Sequence, residues 1–310
     1  MKKILITGGA GYIGSSLLSS NRPGSITVFD NLYWNQGATV YPLLKSFRFL
    51  NESILDWSDT LKREIEKADV IIPLAALVGA PLCEKEPDLA SELNYLWFKK
   101  LLSYLDNQLV IYPNTNSGYG STGENICTEE TPTSPISLYG KTKQQTEELL
   151  LNNYDNTIAF RLATVFGWSY RPRMDLLVNN LTMIAHRDKR LEVFDGHFRR
   201  NYIHVKDVAD GFAFAVQNRD RMKGNVYNLG NDSINMTKES LAHIICEVTG
   251  ASYVPVSYRT DPDKRDYIVS SQKLYDLGYS PKIDLRRGIK EIVQFCAFDP
   301  DKGELQLNNY

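Results

Sequence analysis

Short apolar runs alternate along the first half of the chain with segments whose apolar residues recur every three or four positions. Ile4, Leu5 and Ile6 form the first run. A run that is apolar on both faces predicts a strand buried on both sides. Tyr12, Ile13, Leu17 and Leu18 then take helical spacing. SITVFD (25–30) predicts a second strand and FRFLNESI (47–54) a third with its exit. DVIIPLAAL (69–77) predicts a fourth, QLVIYPNTNSGYG (108–120) a fifth with a polar end, and NTIAFRLATVFG (156–167) a sixth. Between them LKREIEKA (61–68), DLASELNYLWFKKLLSYL (88–105) and SLYGKTKQQTEELL (137–150) predict helices. Alternation of this kind predicts an α/β fold, a doubly wound parallel sheet. Ligands of such sheets sit beyond the carboxyl ends of the strands, so Gly8, Asp30, Ala75, Thr115 and Thr164 are expected on one rim.

After residue 167 the pattern loosens. GWSYRPRMDLLVNN predicts a loop entering a helix, LEVFD and NYIHV short strands, VKDVADGFAFAV a helix, NVYNLG another strand, and TKESLAHIICEVTG a helix capped at Thr237. The division expected is 1–167 for the doubly wound domain and 168–310 for a smaller C-terminal lobe. That boundary is soft, and some segments are expected to return to the first domain.

Composition narrows the class. The 310 residues are 43% hydrophobic, 23% charged and 11% aromatic, which is globular. A formal net charge of -2 gives no electrostatic case for nucleic acid or an anionic membrane. Cys83, Cys127, Cys246 and Cys296 are scattered without metal-ligand or redox spacing, so reduced, buried thiols and no metal are expected. MKKILITGG ends its apolar run in glycines, without a cleavage site or a span of about 20 apolar residues. A cytoplasmic protein is expected.

Gly8, Gly9, Gly11 and Gly14 lie between the first strand and first helix. At such a junction a glycine permits the tight turn, a second lets backbone approach a pyrophosphate, and a third lets the helix pack close to the sheet. Gly8, Gly11 and Gly14 suit these three tasks, and the helix N-terminus suits the phosphates. Asp30 ends the second strand about 20 residues on, where a carboxylate accepts hydrogen bonds from both ribose hydroxyls. It would repel a 2′-phosphate, and Asn31 supplies no compensating charge, so NAD is expected rather than NADP.

Two further features invite chemistry. The fifth strand ends in Thr115, Asn116 and Ser117, and the next helix carries Tyr139 four residues before Lys143, on one face. Removing hydride from a carbinol carbon requires loss of the hydroxyl proton. A tyrosinate can accept it, yet an ordinary phenol has a pKa of about 10. A neighbouring ammonium and an oxidised nicotinamide both favour the phenolate. Thr115 can hydrogen-bond the same substrate oxygen, and Lys143 can hold the nicotinamide ribose.

TGGAGYIG (7–14), Tyr-x-x-x-Lys in YGKTK (139–143) and the Thr-x-x-x-Tyr-Gly that begins at Thr115 together resemble the extended short-chain dehydrogenase/reductases. Among these the chain is most similar to the NAD-dependent nucleotide-sugar epimerase/dehydratase family, over nearly its whole length. The resemblance implies that Tyr139 is the general base, Lys143 its electrostatic partner and Thr115 the third member. It implies cofactor contacts at Tyr12, Ile13, Asn31, Ile54, Leu74, Ala75, Ala76 and Asn94. In the second lobe it implies a nucleotide-sugar diphosphate held by Asn180 of VNNLT, Arg200 of RNYIHVKDVADG and Arg265 of RDYIVSSQKL, or less favourably Arg259. Arginine suits that task because its planar fork meets phosphate oxygens bidentately. His204 reads as structural. The family also implies a homodimer, built on the helix of Leu93, Leu96, Trp97, Leu101, Tyr104 and Leu105 and on the Tyr139 helix.

The chain departs from the family pattern twice. Where many members place an Asp against adenine, this sequence has Ser53. Where 4,6-dehydratases follow the Thr with Asp-Glu, it has Asn116 and Ser117, substrate contacts that do not titrate usefully. Elimination and decarboxylation are therefore disfavoured. What remains is oxidation at sugar C4, with epimerisation favoured on family grounds and net 4-dehydrogenation as the alternative. A non-catalytic NAD(H) sensor is the reading from another class, and the intact Thr115, Tyr139 and Lys143 speak against it.

Overall fold

The computed structural model describes residues 2–20, 24–257 and 265–297. The predicted strands are β1 (Lys3–Thr7), β2 (Ser25–Phe29), β3 (Arg48–Leu50), β4 (Val70–Pro73) and β5 (Leu109–Thr115), followed by Thr157–Leu162. They join one parallel seven-stranded sheet in the order Asn225–Leu229, Thr157–Leu162, β5, β4, β1, β2, β3. Alternate side chains explain why each strand reads as apolar throughout. Ile4 and Ile6 of β1 pack with Leu17, Leu18, Phe212 and Val216 on one face. Leu5 packs with Trp97, Leu101 and Leu150 on the other.

The predicted sixth strand is two. Thr157–Leu162 ends at Ala163, whose N–H is taken by Leu229, and Thr164–Phe166 then pairs in a different sheet. That second sheet runs Asn231–Thr237, Arg199–His204, Thr164–Phe166. Helices Leu177–Asp188, Lys238–Thr249 and Leu285–Ala297 cover the lobe around Phe166, Val178, Leu191, Ile245 and Ile289. The segment Val205–Leu229 goes back to the first domain. Its helix Val205–Gln217 lies on the sheet, and its strand Asn225–Leu229 forms the sheet edge.

The long helix predicted over 88–105 is helical but not uniform. Pro87–Ser91 is α, Glu92–Leu96 widens into a π turn, Trp97–Leu101 is α again, and Leu102–Tyr104 tightens to 3₁₀. Its apolar residues are mostly used at home. Trp97 and Leu101 are buried in the core, whereas Leu96 is 44% exposed. All four cysteines are buried free thiols. No helix among the described residues is long and apolar enough to cross a membrane.

Candidate active site

The glycine turn connects β1 to helix α1 (Tyr12–Ser19). Gly8 has φ +71°, and a Cβ there would stand 2.4 Å from Ala75 N. Only glycine lets the turn reach β4 this closely. A Cβ on Gly14 would meet Gly9 O at 2.5 Å, so α1 lies directly on the turn. Asp30 follows β2 and is 8% exposed. Its carboxylate accepts the Ala10 N–H at 3.0 Å and the Leu32 N–H at 2.8 Å. Burial raises the Asp30 pKa, while those two N–H groups and Arg171 oppose the rise.

Beyond these strand ends lies a cavity of about 290 Å³. Gly8, Gly11, Asp30, Asn31, Ser53, Ile54, Leu74, Ala75 and Ala76 all line it, together with Trp34, Glu52 and Leu55. The first helical turn of α1 opens on this space, with N–H groups that no helix satisfies internally. Close glycine approach, a buried carboxylate at a strand end and apolar walls fit the adenosine half of a dinucleotide. Ser53 faces the cavity, and its hydroxyl also caps the following turn by accepting the Leu55 N–H at 3.2 Å.

Three predicted contacts have other duties. The Tyr12 ring turns away from the cavity, and its hydroxyl donates to Gly167 O at 2.8 Å. That leaves its helix-N-terminal backbone as the part able to meet phosphate. Ile13 packs against the core on the α1 side of the sheet. The Asn94 amide clamps one peptide unit, accepting Leu77 N–H at 3.0 Å and donating to Leu77 O at 2.9 Å. It fixes the cavity wall at Leu77. Asn94 sits inside the π turn, and its own carbonyl accepts the Thr146 hydroxyl.

The Tyr139 helix, Leu138–Asn153, is capped by Ser137, whose hydroxyl accepts the Gly140 N–H at 3.2 Å. Tyr139 lies in its first turn, half-buried against the small cluster of Leu77, Leu82 and Cys83. Lys143 is 3% exposed, with its ammonium 4.2 Å from the centre of the Tyr112 ring. Thr115 ends β5, donates its hydroxyl to Ser117 Oγ at 3.0 Å, and accepts the Ser117 N–H at 3.2 Å.

The electrostatics separate what the protein supplies from what the oxidised cofactor has to bring. In the protein alone the phenol is not acidified. Burial pushes Tyr139 up to about 12, with Cys83 adding to the rise and Arg265, Arg173 and the Thr115 hydroxyl opposing it. Burial also drives Lys143 down to about 7. Loss of water dominates both groups, and the Lys143 ammonium faces the Tyr112 ring.

The second lobe meets this rim through Arg265, whose guanidinium hydrogen-bonds the Ser117 hydroxyl. The next residue, Asp266, is anchored by Arg199 at 2.8 Å. Arg200 is 6% exposed and stacks over Tyr267, 5.4 Å from the ring centre. Asn180 occupies the first turn of Leu177–Asp188, half-buried. Its neighbour Asn179 is the structural one, bonding Gly167 N, Gly167 O and Arg173 O. Arg259 lies outside the described residues. His204 is fully buried, accepting the Lys206 N–H at Nδ1, with Nε2 3.3 Å from Glu291. Its place between Gly167 and Gly288 supports a structural reading.

Two buried arginines escape sequence reasoning. Arg171 and Arg173 lie in the loop after Phe166. Arg173 pairs with Asp175 at 2.7 Å through Nε, and burial lowers Arg171 to about 10. The only local signal is two cations flanking one proline, RPR, directly after a strand expected on the ligand rim.

A glycine turn, a strand-end carboxylate and a Tyr/Lys helix on a parallel seven-stranded sheet define an oxidoreductase-type nucleotide fold of the extended short-chain kind. The family model "NAD dependent epimerase/dehydratase family" matches residues 4–230. The chain belongs to that family, and its cofactor is NAD. Among curated relatives it is 25% identical to dTDP-D-glucose 4,6-dehydratase of Mus musculus, covering 95% of this chain and 88% of that one. It is also 25% identical to UDP-glucose 4-epimerase of Lactobacillus helveticus, covering 90% and 92%. Among solved structures, UDP-glucuronic acid 4-epimerase of Bacillus cereus, in complex with UDP-glucuronic acid and NAD, superposes with a TM-score of 0.84 at 25% identity, over 96% of this chain and 99% of that one.

Proposed function

We propose that the protein is a nucleotide-sugar 4-epimerase with Tyr139 as general base. One arrangement carries the reading: Thr115, Tyr139 and Lys143 share the strand-end rim with Asn116 and Ser117, neither of which can serve as an acid or base for elimination. When bound, NAD would supply reversible hydride transfer at the sugar carbon. Tyr139 takes the hydroxyl proton and later gives it back. Thr115 hydrogen-bonds the reacting oxygen, and the Lys143 ammonium favours the phenolate. Because burial holds Tyr139 high in the protein alone, the acidifying charge has to arrive with the oxidised cofactor.

Asn116 supports a substrate of hydroxyl character. Its side chain is 1% exposed, and neither amide atom has a partner among the described residues. An unmet buried polar group costs about 1–3 kcal/mol. A sugar hydroxyl both donates and accepts, so it would satisfy both ends of the amide. Asn180, Arg200 and Arg265 are the proposed diphosphate ligands, with Ser117 joining Arg265 to the sugar site. Cofactor contacts are proposed at the nine predicted cavity residues, at the backbone of Tyr12 and Ile13, at Asn94 through the wall it fixes, and at Tyr139 and Lys143. A homodimer through the Leu96 face is proposed as well, and sedimentation as a monomer at micromolar concentration would remove it.

The deciding experiment is mass spectrometry of products after incubation with UDP-, dTDP-, GDP- and CDP-linked sugars. Unchanged mass with changed retention is expected. Loss of two hydrogens would make the enzyme a net 4-dehydrogenase, and loss of water would overturn the argument from Asn116 and Ser117. Tyr139→Phe is expected to lower turnover about 10²- to 10⁴-fold while NAD binding persists.

A further inference from the structure

Asn114, the residue before Thr115, is 2% exposed, and its whole side-chain amide is engaged. Its Oδ1 accepts the Thr115 N–H at 2.7 Å. Its Nδ2 donates to Glu147 Oε2 at 2.6 Å and reaches Gln144 Oε1 at 3.4 Å. The amide can point only one way, since a flip would turn its NH₂ against an N–H and its oxygen against a carboxylate. Glu147 is itself bonded through both oxygens. Arg161 donates to both its oxygens, at 2.7 Å from Nη2 and 3.2 Å from Nε, and braces itself on Tyr119 Oη and Glu129 O. Glu147 stands one turn after Lys143 on the same helix.

We propose that Asn114 is a positioning residue, which ties the Thr115 backbone to the helix of Tyr139 and Lys143 and acts on turnover through Thr115. The Thr115 hydroxyl is already held from the other side by Ser117. Asn114 supplies the second constraint, so strand end and helix move as one body. Displacement of a positioned group by about 1 Å costs up to about 100-fold in rate. The inference rests on the reading of Thr115 as a group that bonds the reacting oxygen, and the test separates the two.

The test compares parent, Asn114→Ser, Thr115→Val and the double variant, each as the full chain with NAD. Amide hydrogen exchange serves first and needs no substrate. In Asn114→Ser the Thr115 amide is expected to exchange at least about tenfold faster, as local opening becomes easier there, while Val110, on the same strand, keeps its rate. Equal change at both residues, or at neither, overturns the proposal. Turnover of UDP-glucose, dTDP-glucose and GDP-mannose is then followed. Asn114→Ser is expected to lower kcat about 10- to 100-fold with little change in KM, and to add less than about twofold once Thr115 is Val. The same loss in both backgrounds means a general structural effect and overturns the proposal. A Thr115→Val enzyme as fast as the parent defeats the reading of the site instead, whatever Asn114 does.

Discussion

Lys143 and Glu147 stand one turn apart on the same helix, 3% and 2% exposed, with opposite charges and different company. Glu147 is met inside the chain by Arg161 at 2.7 Å and by Asn114 at 2.6 Å. Lys143 has the Tyr112 ring beneath it, makes no salt bridge among the described residues, and is held at about 7. The first site is closed by the fold. The second bears a cost of burial that the fold alone does not offset, as expected where a group serves a reaction rather than the scaffold. Stability and activity should therefore respond in opposite directions at these two positions.

The largest effect is expected at Glu147. Glu147→Leu leaves Arg161 buried without its counter-charge and should lower unfolding free energy by about 3–5 kcal/mol, measured by urea titration. Adding Arg161→Met should restore most of that loss, because a matched apolar pair needs no partner. Failure of the double variant to recover would mean that Tyr119 and Glu129 depend on the ion pair as well.

Lys143→Met should lower turnover about 10²- to 10³-fold and still raise the melting temperature of the ligand-free protein at pH 7 by a few degrees. Burial depresses the Lys143 pKa from 10.5 to about 7. Between those values the unfolded chain binds more protons than the folded one, so parent stability rises with pH across the window. The advantage of Lys143→Met should be greatest below pH 7 and vanish near pH 10.5. A constant advantage would show that packing, not charge, is responsible.

Asp30→Asn should give the smallest change. The amide keeps one acceptor oxygen but loses charge-assisted bonds, so NAD affinity should fall about tenfold by calorimetry with stability little altered. A fall of less than twofold would take Asp30 out of the ribose site.

The strand-end rim was readable because its signals are local. Four glycines between a strand and a helix, an aspartate closing the next strand, and Tyr-x-x-x-Lys after a capping serine need only neighbours to be interpreted. What escaped depends on partners far away in the chain. The Asn114–Glu147 bond spans 33 residues and the Tyr119–Asn228 bond 109. No spacing rule tells Asn179, which clamps Gly167, from Asn180 beside it. The break at Ala163 is set by Leu229 and the π turn at Asn94 by the peptide at Leu77, so neither disturbs the hydrophobic period. The rise of the Tyr139 phenol in the protein alone was not legible in the sequence for a related reason. Sequence spacing reports which charges are neighbours, whereas burial decides how much water each one loses.

Asn225–Leu229 forms the border of the large sheet, although the chain passes through the other lobe, from Thr164 to His204, before it returns. A chain emerging from the ribosome therefore carries Thr157–Leu162 with its outer row of amides and carbonyls bare until residue 229 appears. A fragment cut at 167 would keep that border open permanently, an invitation to stack against another copy. Anyone wishing to borrow the nucleotide-binding half as a module would have to bring residues 205–229 with it.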